Sequence, residues 1–159
     1  MKKSMTGWTS AVACCLASVA MAATVTINPG NGVETNVTAR FTGALAHESV
    51  LRFYREHPVD LFVLVSKSEG LPVSVMEALS FGVPAVVTDV GGCAELVCDG
   101  ENGYVLPADF TDELLRQTIR RAMCATDDLR AAAFETWRSR FTADNFRQFV
   151  QTLLSADDH

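Results

Sequence analysis

The chain has 159 residues, of which 48% are hydrophobic and 20% charged, and a formal net charge of −6. That length accommodates one core of ordinary domain size but not two, and the composition is globular. The acidic balance offers no broad attraction to a phosphate backbone, so nucleic acid is not an expected partner.

The N-terminal segment "MKKSMTGWTSAVACCLASVAMAATV" carries Lys2 and Lys3, an Ala-rich apolar run to about Ala20, and Ala20-Met21-Ala22 as an A-x-A cleavage pattern. The run is too short to cross a membrane as a helix. Residues 1–35 therefore read as a leader and linker, either signal-peptide-like or a misassigned start, and poor packing is expected of them. Within this stretch "ATVTINPGNGVETN", residues 23–36, has Pro29-Gly30 and Asn31-Gly32 turn signals and reads as a loop. The domain is taken to span residues 36–159. Five cysteines (Cys14, Cys15, Cys93, Cys98 and Cys124) form no C-x-x-C pair. They suit small buried hydrophobes in a reducing compartment better than a disulfide framework or zinc site.

From residue 37 onward strands and helices alternate. "VTARFTG" reads as a short strand before Gly43, and "HESVLRFYREH" puts Val50, Leu51, Phe53 and Tyr54 on a helical stripe ending near Pro58. "DLFVLVS" is a nearly continuous apolar run, the mark of a strand covered on both faces. A helix follows at "PVSVMEALSF", with Pro72 suited to its first position and Gly82 to the position just past its end. "VPAVVT" is the next buried strand, "CAELVCD" one or two helical turns, and "ENGYVLP" an Asn102-Gly103 turn into a further strand. The remainder is helical. "TDELLRQTIRRAMC" starts with Thr111 as cap, and "TADNFRQFVQTLL" places Phe146, Phe149, Val150, Leu153 and Leu154 on one stripe. This order predicts an α/β fold, a Rossmann-like parallel sheet with flanking helices, with parallel strands near residues 37–42, 60–65 and 83–88.

In such a sheet ligands bind beyond the carboxyl ends of the strands, and the segment there after "DLFVLV" is "SKSEGL". Glu69 therefore stands where a site belongs. The helix beginning near Pro72 directs its N-terminal amides and positive dipole end into the same crevice, where an anionic phosphate is stabilised. Gly70 permits close backbone approach. At about 100° per residue Val75, Met76 and Leu79 face the core, and Glu77 points away from it. The two carboxylates can bracket a ligand made of a sugar, a diphosphate and a ribose. Of the other polar groups, His47 and His57 read as surface or capping residues, Lys67 as a solvated loop residue, and Asp89, Gly91 and Gly92 as lining the end of the next strand.

The stretch "SKSEGLPVSVMEALSFGVPAVVTDVGG", residues 66–92, resembles the E-x7-E segment of retaining GT-B glycosyltransferases of family 4, also called group 1. S-E-G-L-P, S-F-G-x-P and T-x-V-G-G follow one another in the family's order, and the likeness covers about residues 36–155. The resemblance implies the C-terminal, donor-binding half of a GT-B enzyme. It also implies transfer of a hexosyl group from a nucleoside diphosphate sugar to an acceptor hydroxyl with retention, in polysaccharide or glycolipid assembly. Carried onto this chain, Glu69 is the catalytic-site carboxylate that contacts the donor hexose, Glu77 contacts the ribose, and Gly70, Leu71, Pro72 and Val73 bind the donor diphosphate. Neither metal nor cofactor is implied. The acceptor glycan or glycolipid is implied to bind an N-terminal domain that this chain lacks, together with the basic residues that grip the diphosphate. The chain alone is accordingly expected to be inactive. The alternatives are a non-catalytic nucleotide-sugar-binding module or an inactive truncated gene product. The expected location is the cytoplasm, with a peripheral membrane position compatible; export is the alternative if residues 1–22 act as a signal.

Overall fold

A computed structural model describes residues 10–15, 21–27 and 38–156 of the chain. Lys2, Lys3, Ala20 and the Pro29-Gly30 and Asn31-Gly32 turns lie outside the described residues, as do the side chains of Phe149, Val150, Leu153 and Leu154. The elements in chain order are β1 (Ser10–Cys15), β2 (Met21–Ile27), β3 (Thr38–Ala44), α1 (His47–Glu56), β4 (Leu61–Leu64), α2 (Val73–Ser80), β5 (Ala85–Thr88), α3 (Cys93–Leu96), β6 (Gly103–Leu106), α4 (Asp112–Cys124), α5 (Thr126–Arg140) and α6 (Ala143–Ala156). They build one six-stranded sheet in the order β3-β2-β1-β4-β5-β6.

β1, β4, β5 and β6 are mutually parallel, with Phe62 opposite Ala85 and Val87 opposite Val105. This is the parallel sheet that the alternating pattern predicts. On the far side of β1 the sheet continues antiparallel through β2 and β3. Two reversals restore the direction, so β3 runs the same way as β4 but stands at the edge, with β2 and β1 between them.

Two expectations are thereby corrected. Residues 23–27 are part of β2 and not of a loop, and the leader contributes β1 to the interior of the sheet, paired to β4 at Val12–Leu61, Ala13–Phe62 and Cys14–Val63. The physical reason lies in the residues themselves. "SAVACC" and, after Met21, "AATVTI" are small or β-branched and uncharged, which suits a pleated ladder as well as a leader, and β4 needs a hydrogen-bonding partner on the side away from β5.

The core lies on both faces of the sheet. Along β4 the period of two sends Phe62 and Leu64 to one face and Leu61 and Val63 to the other, and all four are buried. On the first face they meet Val75, Ala78 and Leu79 of α2, Leu96 of α3 and Ala133 of α5. On the second they meet Val86, Tyr104, Leu106, Ala122 of α4 and Leu129. A sheet packed on both faces forces its loops and polar groups to the strand ends, which is why the site must form there.

Turn chemistry sets the element ends. Gly82 adopts φ +64° just beyond α2, the left-handed position that the sequence assigns to it. Thr111 Oγ1 accepts from the Leu114 amide at 3.2 Å as the cap of α4. Pro72 falls one residue earlier than predicted, at the N-cap of α2, where its carbonyl receives the amides of Val75 and Met76. Two side-chain expectations are overturned. Phe146 is 67% exposed and not part of a buried stripe. Among Cys93, Cys98 and Cys124 only Cys93 is buried.

Candidate functional site

The loop that leaves β4, residues 65–72, is held down at both ends. Thr88 Oγ1, at the end of β5, donates to the Ser66 carbonyl at 2.7 Å, and the Gly92 amide donates to the Gly70 carbonyl at 2.8 Å. The two loops at the carboxyl ends of β4 and β5 thus form one layer. Backbone lies directly on backbone there. A Cβ on Gly91 would stand 1.9 Å from the Glu69 carbonyl oxygen, and one on Gly92 would stand 2.8 Å from Leu71 Cδ1. Gly91 also has φ +54°, so both its conformation and its surroundings require glycine. The T-x-V-G-G run is therefore a docking surface for the Glu69 loop, a role that one sequence without coordinates does not reveal.

Gly70 behaves oppositely. A Cβ on it would meet nothing within 4 Å, so this stretch of backbone has an open face. Leu71 and Val73, at 50% and 61% exposure, border the opening. At the start of α2 the amides of Val75 and Met76 are satisfied by the Pro72 carbonyl, so helix geometry leaves those of Val73 and Ser74 at the outward end. Pro72 is buried and carries no amide hydrogen. It sets the start of the helix and cannot itself donate from its backbone.

Glu69 is part-buried in this layer, close enough to Cys93 to act on its thiol. Burial pushes that thiol above its ordinary value, the Glu69 carboxylate pushes it further the same way, a hydrogen bond with the Val90 backbone opposes the shift, and Asp89 adds to it. Cys93 is thus a packing thiol with its proton held firmly, not an activated nucleophile.

Glu77 occupies the second turn of α2, about 6 Å along the axis from Val73. Val75 and Leu79 are fully buried on the neighbouring face, as expected, and Glu77 does not enter the core. It is less exposed than an outward helical carboxylate, however. Its side chain retains 18% exposure, and Oε1 lies 3.1 Å from His47 Nδ1 at the start of α1. Because β3 runs in the same direction as β4, the start of α1 and the start of α2 lie at the same edge of the sheet. His57 has the capping role read from sequence, with Nδ1 3.2 Å from the Phe53 carbonyl oxygen and its ring stacked on Phe53. His47 does not. Its pairing with Glu77, 30 positions along the chain, leaves no periodic signal in the sequence.

Asn102 is a further residue whose role the sequence understates. Read there as half of a turn, it is buried. Its Oδ1 accepts from the Cys98 amide at 2.8 Å, and its Nδ2 donates to the Leu96 carbonyl at 3.0 Å and to Thr136 Oγ1 at 3.1 Å. It ties α3 and the turn before β6 to α5.

Comparison with known proteins bears on this geometry. The sequence model described as "Glycosyl transferases group 1" matches residues 32–135. The chain belongs to the group 1 glycosyl transferase family. Within that family it is similar to the O-antigen biosynthesis glycosyltransferase WbnH of Escherichia coli, with 52% identity over 105 residues, 66% of this chain and 30% of that protein. It is also similar to the putative teichuronic acid biosynthesis glycosyltransferase TuaC of Bacillus subtilis, with 44% identity over 62 residues, 39% of this chain and 15% of that one. Among solved structures it resembles sucrose-phosphate synthase from Thermosynechococcus elongatus, with TM-score 0.61 and 22% identity over 74% of this chain and 30% of that one. At that identity the likeness carries the fold alone, an α/β sheet flanked by helices that matches part of a GT-B glycosyltransferase. The chain spans less than a third of the length of each of these relatives and of the synthase. Among the described residues no helix is long and apolar enough to cross a membrane.

Proposed function

We propose that this chain is the donor-binding portion of a retaining, family 4 member of group 1. It would serve transfer of a hexosyl group from a nucleoside diphosphate sugar to an acceptor hydroxyl in polysaccharide or glycolipid assembly. The observation that carries the reading is the joined pair of loops at the carboxyl ends of β4 and β5 with the start of α2 beside them. There Glu69, the open backbone of Gly70, the first amides of α2 and Glu77 follow one another. That order suits a hexose, a diphosphate and a ribose in turn. Glu69 accepts from hexose hydroxyls, the amides of Gly70, Leu71 and Val73 meet the diphosphate oxygens, and Glu77 accepts from the ribose hydroxyls. In the reaction the bond from the anomeric carbon to the diphosphate oxygen breaks, one from that carbon to the acceptor oxygen forms on the same face, and the acceptor proton passes to the departing diphosphate. The chain's part is to orient the donor and stabilise the departing diphosphate, tasks that need neither metal nor cofactor from it. The names of the E. coli and B. subtilis relatives, with O-antigen and teichuronic acid as products, support polysaccharide assembly. The acceptor side is proposed to come from protein beyond these residues. Cytoplasmic working, where nucleotide sugars are made, belongs to the same proposal.

A second reading has one observation in its favour. Across residues 66–72 and 89–92 the only basic side chain is the exposed Lys67. Diphosphate charge is therefore met here chiefly by backbone amides, which favours a binding module with modest affinity and no turnover of its own. Titration of isotopically labelled protein with uridine and guanosine diphosphates, followed by amide shifts, tests the site in either case. The largest changes are expected at Gly70, Leu71, Val73, Ser74 and Glu77. Changes confined to other surfaces, or none at 10-millimolar nucleotide (about 2.7 kcal/mol of binding), would contradict both readings.

A further inference from the structure

We propose that His47 is a positioning residue for nucleotide recognition. It holds Glu77 Oε1 and so presents the remaining acceptor positions of that carboxylate, in a fixed orientation, to the paired hydroxyls of the donor ribose. The inference rests on the reading of Glu77 as the ribose ligand and adds to it the residue that aims it.

Three observations support it. The first is the contact itself. His47 Nδ1 stands 3.1 Å from Glu77 Oε1, within ion-pair distance. The second is an asymmetry of exposure. Glu77 is largely covered at 18%, whereas His47 is 66% exposed, so the histidine stands on the solvent side of the carboxylate. The third concerns what His47 does not do. It occupies the first turn of α1, where a basic group gains nothing from the helix dipole and an acidic one would, and the N-cap Ala46 makes no side-chain capping bond. The side chain at this position therefore offers little to its own helix and engages the neighbouring one.

A glutamate has three rotatable side-chain bonds, and a diol that must first arrest them binds more weakly than one that meets a carboxylate already fixed. Two oxygens supply about four acceptor positions, and the His47 contact is at Oε1 alone. Enough remain for both hydroxyls.

The test compares wild type, His47→Ala, His47→Asn and Glu77→Ala of the whole chain. Each is titrated with uridine and guanosine diphosphates and their 2′-deoxy counterparts. His47→Ala is expected to weaken the ribonucleotide about three- to tenfold and the deoxy form less than about twofold, so that the ribo-to-deoxy preference falls. His47→Asn, whose amide N–H lies near the position of Nδ1, is expected to restore most of that preference. The inference is overturned if His47→Ala leaves the preference at its wild-type value while Glu77→Ala abolishes it. It is also overturned if His47→Ala weakens both forms equally and Asn does not rescue, which would make the histidine merely structural. If Glu77→Ala too leaves the preference intact, the reading of Glu77 as the ribose ligand fails instead.

Discussion

Gly91→Ala is expected to destabilise the fold by about 3 kcal/mol or more, the largest effect of any single methyl group added at this site. Two independent costs combine. An alanine at φ +54° occupies a backbone conformation that costs about 1–3 kcal/mol without glycine, and its Cβ would lie 1.9 Å from the Glu69 carbonyl oxygen. The obstruction is backbone and cannot rotate away, so the β4 and β5 loops must separate, loosening the bond from the Gly92 amide to the Gly70 carbonyl. Gly70→Ala provides the contrast, since its Cβ would meet nothing within 4 Å and its stability cost should stay within about 0.5 kcal/mol. Urea unfolding of the two variants beside wild type reads both values. A Gly91→Ala midpoint equal to that of Gly70→Ala would mean that the two loops do not pack as described.

Glu77→Ala is expected to leave the unfolding midpoint nearly unchanged while lowering nucleoside diphosphate affinity about ten- to a hundredfold. The stability side follows from two small terms of opposite sign. Alanine is the better helix former by a few tenths of a kcal/mol, and the pair lost to a largely exposed His47 contributes less than about 1 kcal/mol. The binding side follows from the chemistry proposed for Glu77. A charged acceptor shared by two ribose hydroxyls is worth about 1.5–3 kcal/mol, and α2 carries no other carboxylate. Thermal unfolding and calorimetric titration on the same preparation separate the two. Loss of folding without a change in affinity would assign Glu77 a structural role.

Much of this was legible in the residues because burial writes a period into the chain. "LFVL" and "AVVT" are apolar on both faces because helices cover both, and every residue of each run is buried. Pro72, Gly82 and Thr111 marked helix ends because each carries a conformational or hydrogen-bonding constraint that acts within one turn. What lay beyond local pattern was not legible. β1 and β2 were hidden because short runs of alanine, cysteine and valine meet the requirements of a leader and of a strand equally. Phe146 sits at the right helical spacing for a core stripe, yet spacing alone does not say whether a neighbour is there to cover it. In the site, Glu69 and Glu77 stood out through their surroundings at a strand end and a helix start. The His47 contact, the Gly91 approach and the buried amide of Asn102 join residues 22 to 34 positions apart or depend on backbone surfaces meeting in space. No sequence period reports such contacts.

The account turns on a division of labour between the two glutamates, and Glu69→Ala tests it most directly when titrated with a free nucleoside diphosphate and with the same nucleotide carrying its hexose. If Glu69 meets the sugar, the variant should bind the free diphosphate as wild type does, within about twofold. It should bind the nucleotide sugar about tenfold or more weakly, the loss of one charge-assisted hydrogen-bond set. Equal binding of both ligands by variant and wild type would contradict the account.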